Sequence, residues 1–72
     1  MNVRDVIIKC GEALYGPRFQ RELARDLRVN ERTMRRWVAG DSVPPDNLVI
    51  DLVALVRARI KRLSAILGGQ AR

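Results

Sequence analysis

The 72-residue sequence predicts an all-α domain of four helices, because apolar residues recur every three or four positions in four separate segments. Glycine, proline and asparagine stand between these segments, where they can end one helix and begin the next. No segment alternates apolar and polar residues in the way that a half-buried strand does. A chain this short forms one domain with a small core, so its stability depends on efficient helix packing or on a partner chain.

The first helix is predicted to begin at Val3, because Asn2 has the side chain of a good N-cap. Its apolar stripe consists of Val3, Val6, Ile7, Cys10 and Leu14. Gly16 would end this helix, since glycine readily adopts the positive φ that follows a helix. Pro17 suits a first helical turn, so the second helix is predicted from about Pro17 to Leu27. Its apolar residues are Phe19, Leu23, Ala24 and Leu27.

A short turn separates the second helix from a third, which is predicted from about Glu31 to Ala39. Residues 28–30 break the apolar pattern, and Asn30 can accept a hydrogen bond from a backbone N–H at the start of the third helix. Gly40 would end that helix, and residues 41–45 form a loop that contains two prolines.

The net charge of +6 predicts a polyanionic partner, and the charge is distributed unevenly along the chain. Residues 1–17 are balanced, whereas residues 18–36 carry seven arginines against three acids. Residues 37–56 have a net charge of −3, and residues 57–72 have a net charge of +5. Two basic segments therefore flank an acidic one, and the first of them coincides with the second and third helices.

The third helix separates apolar and basic residues onto opposite faces. At about 100° per residue, Met34, Trp37 and Val38 share one arc and must face the core. The opposite face holds Arg32, Arg35, Arg36 and Ala39, with Glu31 and Thr33 at its edges. Arginine donates paired hydrogen bonds to guanine in the DNA major groove, which admits one helix, and it also binds phosphates. One arginine would be an ordinary helix surface, but three on one short face favour DNA contact.

Residues 20–40, QRELARDLRVNERTMRRWVAG, resemble the helix-turn-helix of lambda-repressor-like and Cro-like DNA-binding regulators. The shared features are a polar residue that opens the segment (Gln20), a small residue where the helices cross (Ala24) and the closing Gly40. The apolar positions of the pattern are occupied by Leu23, Val29, Met34 and Trp37. Proteins of this size and pattern look like phage or mobile-element regulators, including those associated with anti-CRISPR genes. The resemblance implies a compact four-helix helix-turn-helix domain over residues 1–72, with the motif at about residues 18–40.

The resemblance also implies that the second helix lies across the DNA backbone while the third helix enters the major groove. The residues expected to contact bases are Glu31, Arg32, Thr33, Arg35 and Arg36. The residues expected to contact phosphates are Arg18, Gln20, Arg21, Arg28 and Asn30. Arg28 departs from the family, which often has glycine in this turn. Glycine is favoured there because a left-handed backbone conformation costs any other residue about 1–2 kcal/mol. Either the turn is built differently or Arg28 is retained to reach a phosphate.

The last helix is predicted from about Asp46 to Leu67, where two glycines would end it. A heptad seam with spacings of 4, 3, 4, 3 and 4 consists of Val49, Val53, Val56, Ile60, Leu63 and Leu67. A second apolar row consists of Leu48, Leu52, Leu55 and Ile66. The other helices can cover the first half of this helix but not its second half, about 20 Å further along. We therefore expect a two-fold homodimer through this helix, with the basic residues Arg57, Arg59, Lys61 and Arg62 on its solvated side.

The composition argues against an enzyme, a metal site or a cofactor. The chain has no histidine and one cysteine, so metal ligands are scarce and an internal disulfide cannot form. It has no serine with an orienting pair and no glycine-rich phosphate loop, so we expect neither catalysis nor a small-molecule ligand. No export signal or membrane-length apolar stretch is visible, which predicts a cytoplasmic protein.

The expected function is sequence-specific binding of double-stranded DNA by a transcriptional repressor. Its homodimer would bind an inverted-repeat operator with recognition helix 31–39 in the major groove, the half-sites being about 34 Å apart. Two alternatives remain open: an antitoxin that autoregulates its toxin-antitoxin operon, and an architectural DNA-binding protein with little sequence preference. The operator sequence and the regulated gene do not follow from these residues.

Overall fold

The computed structural model describes residues 2–70 and has the predicted fold class, with four helices and no strand within that range. Met1, Ala71 and Arg72, which the predicted domain and the basic C-terminal segment include, lie outside the described residues. The helices are α1 (Val3–Tyr15), α2 (Gln20–Leu27), α3 (Glu31–Ala39) and α4 (Leu48–Gln70). None of these helices is long and apolar enough to cross a membrane.

The limits of α1 agree with the prediction. The Asn2 side chain accepts a hydrogen bond from the backbone N–H of Asp5 at 2.8 Å, which satisfies one of the free donors of the first turn. Gly16 has a φ of 87°, and its N–H donates to the Glu12 carbonyl at 2.8 Å. The chain therefore leaves α1 through a backbone conformation that favours glycine.

The predicted start of α2 at Pro17 is wrong, because residues 17 and 18 form a turn and the helix begins at Gln20. Phe19 is only 3% exposed and packs directly over Gly11 of α1. A Cβ at Gly11 would lie within 3.0 Å of three carbons of the Phe19 ring. Burial of this ring fixes where the chain meets α1, so residues 17 and 18 are used to reverse its direction. The preference of proline for a first helical turn is weaker than this burial.

The turn between α2 and α3 is built as a left-handed helix end. Arg28 has φ 58° and ψ 42°, and the next residue, Val29, donates its N–H to the Ala24 carbonyl at 2.8 Å. Asn30 then caps α3 by accepting a hydrogen bond from the Arg32 N–H at 2.8 Å. The predicted limits of α3 are confirmed, and Gly40 ends it with a φ of 86°.

Both predicted limits of α4 are wrong, because the helix begins at Leu48 and continues to Gln70. Its entry is a tight turn in which the Leu48 N–H donates to the Pro45 carbonyl at 3.1 Å, a three-residue spacing. Gly68 and Gly69 continue the helix, since a glycine that keeps a negative φ weakens a helix by about 1 kcal/mol without ending it.

The core lies between α1, α2, α3 and the first half of α4. Its buried apolar residues are Ile7, Phe19, Leu23, Ala24, Met34, Trp37, Leu48 and Leu52. The described residues extend 49 × 22 × 21 Å, and every residue from 60 to 69 is exposed. The second half of α4 therefore projects from a small packed domain.

Candidate nucleic-acid interface

The faces of α3 are oriented as the sequence predicts. Met34 is fully buried and Trp37 is 8% exposed, while Val38 packs against the same core. The opposite face presents its exposed side chains in one row: Arg32, Arg35, Arg36 and Ala39. Glu31 and Thr33 are half-buried at its edges. Two and a half helical turns thus carry three guanidinium groups on the side that points to solvent.

The five candidate phosphate contacts lie on and around α2 and its turns. The exposed ones are Arg18, Arg21, Arg28 and Asn30. Gln20 is half-buried and is the first residue of α2. Arg18 was expected inside α2 but lies in the preceding turn, so it does not share the helical face of Arg21.

One of the three arginines on α3 has an acidic partner on its own helix. Arg35 Nη1 lies 3.0 Å from Glu31 Oε2, in an ion pair whose side chains are 60% and 43% exposed. An exposed pair at this four-residue spacing contributes only about 0.3–0.5 kcal/mol, so it orients Arg35 without preventing other contacts. Within residues 2–70, Arg32 and Arg36 form no ion pair.

A contact that the sequence analysis missed fixes the C-terminal end of α3. The Arg4 side chain of α1 donates two hydrogen bonds to the Val38 carbonyl, at 3.0 Å from Nε and 2.7 Å from Nη2. A cation near the last carbonyls of a helix also compensates the negative end of the helix dipole. The two residues are 34 positions apart, and no local spacing indicates that they meet.

A second missed cluster joins α1, α2 and α4. The Tyr15 hydroxyl donates a short hydrogen bond to Asp26 Oδ2, and Arg25 Nε lies 3.4 Å from the other carboxylate oxygen. Arg59 of α4 lies 5.3 Å from the centre of the Tyr15 ring, in cation–π geometry. Arg59 is half-buried here, so its expected place on the solvated side of α4 is wrong.

The cluster shifts the pKa values of both hydrogen-bonded groups. Burial raises the pKa of the Tyr15 hydroxyl above its usual value, and the hydrogen bond to Asp26 raises it further. The same hydrogen bond lowers the pKa of the Asp26 carboxyl, with a smaller contribution from Arg25. Both shifts favour a neutral tyrosine donating to an ionised carboxylate, which ties the end of α1 to α2.

The six seam residues of α4 differ in how far they are exposed. Val49 and Val56 are half-buried, beside the packed domain. The exposed ones are Val53 (42%), Ile60 (56%), Leu63 (52%) and Leu67 (67%). In the second apolar row, Leu48 and Leu52 join the core, whereas Ile66 is 61% exposed. The domain therefore covers one side of the first half of α4, while the apolar residues of the second half are exposed.

Comparisons with protein-family models, with curated proteins and with solved structures gave no match to this chain.

Proposed function

We propose that this protein is a sequence-specific, double-stranded DNA-binding transcriptional repressor that acts as a homodimer on an inverted-repeat operator. The observation that supports it best is the exposed arginine face of α3, which lies opposite Met34 and Trp37 and follows α2 after a three-residue turn. In this arrangement α3 enters the major groove and α2 lies across the backbone.

The guanidinium groups of α3 divide between base and backbone contacts. Arg32, Arg35 and Arg36 are candidates for the paired hydrogen bonds to guanine O6 and N7, each of which is worth about 1–3 kcal/mol of base discrimination. Glu31 and Thr33 border this face and would contact neighbouring base edges. The arginines around α2 supply phosphate contacts, which fix the register of α3 without reading sequence.

Two copies give the site its symmetry. A two-fold dimer places two α3 helices about 34 Å apart, one turn of DNA, and therefore binds an inverted repeat with half-site centres about 10 bp apart. The exposed apolar end of α4 supports a protein partner for this helix. A dimer bound over a promoter represses by excluding RNA polymerase.

The function is tested by selecting duplexes from a random DNA pool with the full chain, and by mobility shifts with the DNA upstream of its own gene. We expect an enriched inverted repeat, and affinity for it that falls steeply between 50 and 200 mM salt, by about 10³-fold or more if six phosphates are contacted. Equal affinity for all sequences would overturn the repressor and favour an architectural protein.

A matched pair of charge-removing variants locates the site. Arg36→Ala is expected to weaken binding to the selected site by about 1–3 kcal/mol, and binding to random DNA much less. Lys61→Ala removes the same charge from the exposed second half of α4 and is expected to lose little of either. Equal losses from both variants would mean that only net charge matters. Co-expression with the product of the neighbouring gene tests the antitoxin alternative through formation of a stable complex.

A further inference from the structure

A groove runs between α1 and α4 beside the heptad seam. Its walls are largely apolar: Val6 and Cys10 come from α1, and Leu52, Val53, Val56 and Ile60 from α4. Arg57 lines one end. The single cysteine of the chain was expected in the apolar stripe of α1, and it is half-buried and lines this groove.

The same chain also carries an exposed apolar surface. Ile60, Leu63, Ile66 and Leu67 are 52–67% exposed on the projecting half of α4. An exposed apolar patch of this kind on so small a domain marks an interaction surface. One copy of the protein therefore offers both a groove and a complementary ridge.

The seam is symmetric about residue 58, which a two-fold axis between antiparallel helices requires. Val56 and Ile60 are two residues from this point, Val53 and Leu63 five, and Val49 and Leu67 nine. An antiparallel pair with its axis at residue 58 therefore brings each of these residues opposite its counterpart in the second copy. A seam with alternating spacings of 4 and 3 also permits a parallel pair, so symmetry alone does not choose between them.

Ile66 distinguishes the two directions. At about 100° per residue it lies off the seam and about 40° from Leu52, on the flank of α4 that faces α1. Antiparallel two-fold helices turn the same flank toward each other, so Ile66 of one copy meets the Leu52 flank of the other, where α1 forms the groove wall. Parallel helices turn opposite flanks together, which would bring the flank that carries Ser64 of the second copy to the groove and leave Ile66 in solvent.

We infer that two copies pair through antiparallel α4 helices, and that each copy inserts its Ile60–Leu67 ridge into the α1–α4 groove of the other. This inference rests on the homodimer of the proposed function and adds its direction, its register and the participation of α1. The arrangement brings the two Arg57 side chains toward the axis. Each is exposed in the single chain, and between exposed charges the high dielectric constant of water keeps the repulsion small.

Disulfide trapping tests the direction. In a Cys10→Ala background, Val53→Cys and Leu63→Cys place one thiol each at exposed seam positions. In the inferred register two copies of residue 53 are about 15 Å apart along the helices, beyond the roughly 7 Å that a disulfide can span, whereas residue 53 faces residue 63. We expect neither variant to cross-link with itself, and an equimolar, co-refolded mixture to form the mixed disulfide dimer. Self-linked dimers of either variant would show a parallel pair and overturn the inference, as would the absence of any cross-link.

The groove has a test of its own. Ile66→Glu is expected to weaken dimerisation at least tenfold in sedimentation equilibrium, while Ala65→Glu, at the exposed residue just before it, changes it little. Equal effects of the two substitutions would remove the groove from the interface. A monomer that still selects a DNA half-site would sink this inference and spare the DNA-reading role of α3. An antiparallel dimer that binds no DNA would support this inference and overturn the DNA-reading role of α3.

Discussion

The chain has two basic helical surfaces, on α3 and on the second half of α4, and they differ in what lies behind the charge. On α3 the apolar side is covered within the chain, because Met34 and Trp37 are buried. On the end of α4 the apolar side is exposed together with the basic one, as Ile60 and Leu67 show. The first surface therefore has only its guanidinium groups to offer a partner, which suits a polyanion. The second has an uncovered apolar face, which suits another helix.

The two surfaces also differ in how firmly they are held. α3 is capped at its start by Asn30, ended by Gly40 and tied to α1 by the hydrogen bonds from Arg4. On α4, Arg59 lies over the ring of Tyr15, in the cluster that also contains Asp26. The residues that follow it, from 60 to 69, are exposed. A surface proposed to read DNA gains from being pre-organised by its own domain, whereas the end of α4 would be ordered by the proposed partner.

The largest expected effect is a difference in stability between two leucine substitutions in α4, one in the core and one on the projecting end. Leu52→Ala removes a fully buried side chain and should lower the free energy of unfolding by about 2–5 kcal/mol at any protein concentration. Leu63→Ala, at a position that is 52% exposed, should cost little in dilute protein and more in concentrated protein, where the proposed dimers would form. Urea unfolding at two concentrations measures both. A large, concentration-independent loss for Leu63→Ala would mean that the end of α4 packs on its own domain.

A pair of glycine substitutions should give effects of opposite sign in the same two regions. Gly11→Ala forces a methyl group against the ring of Phe19 and should destabilise the protein by about 1–3 kcal/mol. Gly68→Ala meets no atom within 4 Å and should raise stability slightly, by less than about 1 kcal/mol, because alanine favours the helix. Thermal unfolding followed by circular dichroism compares them. If Gly11→Ala proved neutral, the close packing of Phe19 on α1 would not be what sets the start of α2.

Local signals predicted α3 well. Asn30 and Gly40 act on backbone groups a few residues away, and the 3.6-residue period alone decides that Trp37 faces inward. The start of α2 could not be found in this way, because it depends on the contact between Phe19 and Gly11 across a turn. The end of α4 was misplaced because two glycines weaken a helix without forbidding it.

The sequence predicts which side chains form the candidate site, but not the interhelical contacts that hold them in place. The period of α3 identifies the exposed arginines, since exposure follows from which side is apolar. The hydrogen bonds from Arg4 to Val38 and from Tyr15 to Asp26 join different helices, so their partners are set by how those helices pack. The groove beside Cys10 exists for the same reason: it requires α1 and α4 to be placed side by side.

The smallest expected change in stability bears most directly on function, and it concerns Arg28. It is the one non-glycine residue with a positive φ among residues 2–70, and its counterpart at the end of α3 is Gly40. Arg28→Gly removes a strain of about 1–2 kcal/mol and adds chain entropy to the unfolded state. The free energy of unfolding is therefore expected to rise by a net of about 0.5–1 kcal/mol.

If the side chain is retained to bind a phosphate, the same variant should weaken binding to all DNA sequences alike and reduce the slope of log affinity against log salt by about 1. Thermal unfolding and a salt titration of the mobility shift measure the two effects together. A more stable variant with unchanged DNA binding would leave the strained turn without a functional reason, and a loss confined to the selected site would assign Arg28 to base recognition.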